Sequence, residues 1–169
     1  MFNDFEMAKA KVNGVEINYR IRNSHKTSEN AILFLHGFPQ THIMWSGIAD
    51  NFPEDYPVIC PDLRGYGNSE KPSGVENFSF RKMAEDQFQL MLHLGFEKFH
   101  IVGHDRGGRV AHRMALDVTD KIKSITLMDI VPTKLLLSEL TTQVAQSYYH
   151  WLFLAQPSPF PEKLISADP

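Results

Sequence analysis

Apolar and polar residues alternate through MAKAKVNGVEINYRIR, positions 7–22, on both sides of Asn13-Gly14. Period two around a pair that tolerates positive φ predicts an antiparallel hairpin. The pattern then changes. NAILFLHG (30–37) and YPVIC (56–60) are nearly continuous apolar runs, and each leads into a glycine-bearing loop. FHIVGH (99–104) is a third such run. These read as strands buried on both faces, and KIKSITLMDIV (121–131) reads as a fourth. Between them, IMWSGIADNF (43–52), SFRKMAEDQFQLMLHLG (79–95) and RGGRVAHRMALDV (106–118) have helical spacing. Ser79 is a cap and Gly95 a stop for the second of these. LLLSELTTQVAQSYYHWLFLA (135–155) is helical again, and QPSPFPEKLI (156–165) is rich in proline and aromatics.

Strands alternating with helices behind a hairpin predict an α/β, doubly wound, mostly parallel sheet. Sites in such sheets form at the carboxyl ends of the strands. Each unusual stretch falls there: HGFPQTH, DLRGYGNSE, GHDRGG and MDIVP. Residues 1–133 are read as the core, and 134–169 as the start of a helical cap.

The bulk properties narrow the class. The chain has 169 residues, 43% hydrophobic and 22% charged, with a formal net charge of −3. This near-balance gives no reason to expect a nucleic-acid or membrane partner. Cys60 is the single cysteine, which excludes a disulfide framework and a cysteine-based metal site; it reads as a small buried strand residue. The opening MFNDFEMAKAKVNG is neither a secretory signal nor an anchor, so the expected compartment is the cytoplasm.

Gly103-His104-Asp105-Arg106-Gly107 has the spacing of a nucleophile elbow, with aspartate where serine is usual. A carboxylate has no proton to lose before it attacks. Its ester with an alkyl carbon is hydrolysed by activated water, so the substrate is expected to carry a leaving group on an sp³ carbon. The competing reading is a helix-capping aspartate. Arg106 and Arg109 share a helix face, and a planar guanidinium matches a carboxylate's two oxygens. Against this stands a pair of solvated surface arginines; Arg113, a turn further on, is read as structural or solvated. His36 ends a strand and is read as a structural hydrogen-bonding group, with Asp62 structural and Trp45 core.

HGFPQTHIMW, DLRGYGNSEKP, GHDRGGRVAHRMALD, LMDIVPT and YYHWLFLAQPSPFPE together resemble the α/β-hydrolase haloacetate (fluoroacetate) dehalogenases. The resemblance covers nearly the whole chain. The first two motifs are shared with epoxide hydrolases and haloalkane dehalogenases, whereas Asp105-Arg106 and the 148–162 stretch are more specific. It implies Asp105 as nucleophile, Arg106 and Arg109 as holders of the haloacid carboxylate, and Asp129 as triad acid. It implies His150 and Trp151 as halide donors, with backbone N–H groups of Phe38 and Arg106 facing the ester. Asp129 also reads as a cap before Pro132, and YYHWLF as aromatic packing in a cap helix. Tyr148 and Tyr149 are further candidates for the pocket.

The resemblance also implies a base histidine on a loop after the last strand, and no histidine follows His150. The expectation is therefore an N-terminal portion of a hydrolytic dehalogenase of short 2-haloacids. It needs no metal or organic cofactor, takes a small anionic haloacid, and is a homodimer when whole. The alternatives are an epoxide hydrolase and a catalytically incompetent fragment.

Overall fold

A computed structural model describes residues 1–22 and 30–167. Residues 168 and 169 of the expected cap segment lie outside the described residues. The chain divides into two compact units, Met1–Ile130 and Val131–Pro169.

The first unit is built on a six-stranded sheet. Strands β1 (Glu6–Val12) and β2 (Val15–Arg22) form the predicted hairpin, with Asn13 and Gly14 at φ 47° and 79°. Both central residues at positive φ give a turn that matches the strand twist. β3 (Ile32–Leu35), β4 (Val58–Pro61), β5 (Phe99–His104) and β6 (Ile122–Met128) follow, in the spatial order β1-β2-β4-β3-β5-β6. The pairings among β3, β4, β5 and β6 are parallel, and β2 joins β4 antiparallel.

Side-chain alternation splits the core between the two faces of this sheet. Leu33, Leu35 and Ile59 join the cluster that includes Met83, Leu90, Val110 and Met114. Ile32, Phe34, Val58 and Cys60 join Phe2, Phe5, Trp45 and Ala49. Trp45 is 1% exposed, and burial pushes the Cys60 thiol up, leaving it inert. Each large aliphatic buried this way contributes about 1.5–3 kcal/mol.

The 43–52 segment is not one helix. A 3-10 turn (His42–Trp45) runs into a single α-turn, α1 (Ser46–Ala49). Asp62 causes the tight start, accepting hydrogen bonds from His42 N and His42 Nδ1 at 2.9 and 2.7 Å. α2 (Phe80–His93) begins at Ser79, whose hydroxyl accepts the Lys82 N–H, and is followed by Gly95 at φ 85°. α3 (Arg106–Asp117) packs with α2 over β5.

Two strands differ from the expectation of full burial. In β5, Phe99, Ile101 and Gly103 are buried, while His100, Val102 and His104 are half-buried. In β6, Ile125, Leu127 and Met128 are 37–39% exposed, because β6 pairs only with β5 among the described residues.

Asp62 is fully buried and also accepts Asn18 Nδ2 and Asn68 N at 2.9 and 3.0 Å. Burial opposes its charge, but the hydrogen bonds from His42 and Asn68 prevail and hold its pKa at about 2. A folded-state pKa below the unfolded value gives stability that is present above pH ~4 and lost as pH falls towards 2. Acid titration of unfolding should therefore show a loss of about 2 kcal/mol between pH ~4 and 2 that Asp62→Asn removes. An unchanged pH slope in Asp62→Asn would contradict this assignment.

In the second unit, the 135–155 segment is three short helices: α4 (Thr133–Ser138), α5 (Thr142–Ser147) and α6 (Tyr149–Leu154). Thr141 ends the first break by accepting the Val144 N–H. The proline-rich stretch then carries α7 (Phe160–Ala167). No helix among the described residues is long and apolar enough to cross a membrane.

Candidate active site

Strand register assembles this site. Leu35 pairs with Gly103, and Gly103 and His104 pair with Leu127 and Met128. Two residues beyond Leu35, Gly103 and Leu127, the positions Gly37, Asp105 and Asp129 emerge together from β3, β5 and β6. β3 and β5 are neighbours, and the chain leaves β3 towards β4 on one side and β5 towards β6 on the other. The opening above β3 and β5 is the switch point at which α/β sheets form their sites.

Asp105 sits at φ 47° and ψ −115°, a strained conformation for a non-glycine residue costing about 1–3 kcal/mol. Its backbone is fixed on both sides. Asp105 N donates to Met128 O at 3.0 Å, and Asp105 O accepts from Arg109 N at 3.1 Å. The turn is closed by glycines: a Cβ on Gly103 would lie 2.5 Å from Gly107 O, and one on Gly107 would collide with Leu35 O.

The Asp105 side chain makes no helix-capping hydrogen bond. Its Oδ2 instead accepts the N–H of Phe38 at 2.8 Å. Among the described residues its Oδ1 accepts no hydrogen bond. This division gives the two oxygens different chemistry. Oδ2 is held by a backbone donor, and Oδ1 is the freer of the two.

His36 is taken up by the framework. Its Nε2 accepts the Leu63 N–H at 3.0 Å, and its Nδ1 donates to Gly37 O at 2.9 Å. Burial lowers its pKa, and the accepted bond requires a neutral ring. It therefore anchors the Phe38 loop to the Asp62 loop rather than serving as a base.

Arg106 is half-buried and Arg109 is 6% exposed, both in the first turn of α3. Arg113 pairs with Asp117 on the same helix, away from these groups. Asp129, at φ 57°, has its carboxylate 85% exposed, with Oδ2 3.8 Å from His104 Nε2. In the second unit, His150 and Trp151 lie on α6. His150 is exposed and stacks on Tyr148, which also meets Trp151 edge-on. Asp105, Phe38, Arg106 and Arg109 are thus brought together within the first unit, and His150 and Trp151 are neighbours within the second.

Three groups around Asp105 were not singled out from the sequence. His104 faces Asp129, Phe80 lies under Arg106, and Tyr66 of the 62–72 loop meets the His36 ring edge-on. Burial pushes the Tyr66 hydroxyl up, with Arg106 pulling it down and Asp105 adding to the rise, so it feels both charges. Tyr66 was detectable as the aromatic residue between two strand-end glycines. Phe80, at a helix start remote from the elbow, carried no signal.

A family model described as alpha/beta hydrolase fold matches residues 30–164. The chain belongs to that family. Within it, this hydrolase-fold chain is 51% identical, over its whole length, to a fluoroacetate dehalogenase of Burkholderia sp.. It is 38% identical over 73% of its length to a soluble epoxide hydrolase of Corynebacterium sp. (strain C12). A provisionally assigned alpha/beta hydrolase from Nostoc sp. PCC 7120 superposes with a TM-score of 0.91 at 43% identity, covering 100% of this chain and 58% of that one. The chain spans 55% and 41% of the lengths of the two curated relatives.

Proposed function

We propose that the whole protein hydrolyses the carbon–halogen bond of a short 2-haloacid, such as haloacetate, through an ester on Asp105. One observation carries this reading: a strained carboxylate with Oδ2 held by a backbone N–H, Oδ1 open, and a guanidinium directly after it. The identity to a protein named fluoroacetate dehalogenase supports it.

Arg106 and Arg109 bind the substrate carboxylate, which places the α-carbon against Oδ1 for in-line attack. The Oδ1–carbon bond forms as the carbon–halogen bond breaks, and the electron pair leaves on the halide. His150 and Trp151 donate hydrogen bonds to the departing ion; a poor leaving group such as fluoride depends on such donors. Oδ2 is then the ester carbonyl oxygen, already on the Phe38 N–H, with the Arg106 N–H as second donor. A histidine oriented by Asp129 takes a proton from water, which adds to this carbonyl. Collapse of the oxyanion breaks the ester C–O bond, the histidine returns its proton to the leaving alkoxide, and the 2-hydroxy acid departs; the restored carboxylate now holds one oxygen from water.

A single turnover in ¹⁸O-water should accordingly leave label in Asp105, read by peptide mass spectrometry. Label found only in the 2-hydroxy acid would mean that water attacks carbon directly. The related epoxide hydrolase supports a second substrate class, a neutral epoxide. Arg106 argues against it, since an anion-binding cation has no use there. Comparing fluoride release from fluoroacetate with diol formation from an epoxide separates the two.

A further inference from the structure

The guanidinium carbon of Arg106 lies 5.5 Å from the centre of the Phe80 ring. Among the described residues its Nε is buried without a hydrogen-bond partner, and no carboxylate pairs with it. Phe80, the first residue of α2, is half-buried and packs against the main core cluster together with Phe78 and Tyr66. The core thus holds the ring in place.

A long arginine beside a nucleophile faces a conflict. A carboxylate partner would fix it, but would occupy the N–H groups that a substrate needs and cancel the charge. An aromatic face avoids both costs. It attracts the cation through the ring quadrupole and leaves the N–H edge free to meet a planar anion. We infer that Phe80 is a positioning residue that holds Arg106 in its substrate-binding orientation, and so sets the preference for an anionic over a neutral substrate. This rests on the function proposed above.

Iodoacetate and iodoacetamide test it, since both present an alkylating carbon and only one carries a charge. Labelling of Asp105 in the whole protein is trapped by rapid acid quench, before the ester is hydrolysed, and read by peptide mass spectrometry in the wild type, Phe80→Leu and Phe80→Tyr. Phe80→Leu should raise the iodoacetate concentration for half-maximal labelling about five- to tenfold. The limiting rate and the iodoacetamide reaction should be unchanged, and Phe80→Tyr, which keeps the face, should match the wild type. In an Arg106→Leu background, Phe80→Leu should add nothing.

Equal iodoacetate labelling in Phe80→Leu and wild type overturns the inference and leaves the Asp105 nucleophile standing. An equal loss with both reagents also overturns it, because Phe80 would then only support the fold. Failure of wild-type Asp105 to react with either reagent overturns the proposed function and the inference together.

Discussion

Asp105→Asn is expected to reduce halide release from a haloacetate by at least ~10⁴-fold in the whole protein. The melting temperature should stay near that of the wild type. Asparagine tolerates positive φ and keeps an oxygen for the Phe38 N–H, so the elbow survives. What disappears is the anionic Oδ1, since an amide is a poor nucleophile towards carbon. Mass measurement confirms that the asparagine persists during the assay. Substantial halide release from an intact Asp105→Asn protein would mean that the carboxylate is not the attacking group.

Gly107→Ala should have the largest effect on stability. A methyl there would lie 2.5 Å from His36 O and closer still to Leu35 O. Both obstacles are backbone at the end of β3, and neither moves without disturbing the β3–β5 pairing. Overpacking of this kind costs about 1–3 kcal/mol where neighbours can adjust, and more where they cannot. We therefore expect a loss of about 3 kcal/mol or more, measured by urea unfolding. Gly14→Ala is the comparison, as nothing lies within 4 Å of the added methyl and only its φ of 79° opposes it. A wild-type urea midpoint for Gly107→Ala would show that β3 is not packed against the elbow as described.

These two predictions draw on different layers of the molecule. Asp105 could be named from its glycine spacing, because an elbow is a local structure with a local signature. The reach of Gly107 to the end of β3 could not, because it depends on two strands distant in sequence lying side by side. Arg106 shows both aspects. Its place in the first turn follows from the chain, whereas its seat on Phe80 requires α2 and α3 to pack together. The 135–155 segment shows the opposite error. Its apolar spacing suggests continuity, but Thr141 caps a new helix and breaks the run.

By itself the sequence determined the elements and their chemistry: the Asn13-Gly14 hairpin, the Ser79 and Gly95 limits of α2, and an acid at an elbow followed by arginine. Periodicity, caps and turn residues act between neighbours, so they are legible one segment at a time. Only the tertiary structure decided that β3 lies beside β5, that Phe38 holds Oδ2, and that Tyr66 and Phe80 surround Arg106. Those contacts join distant segments, and burial of the two faces of one sheet, rather than any local preference, brings them together.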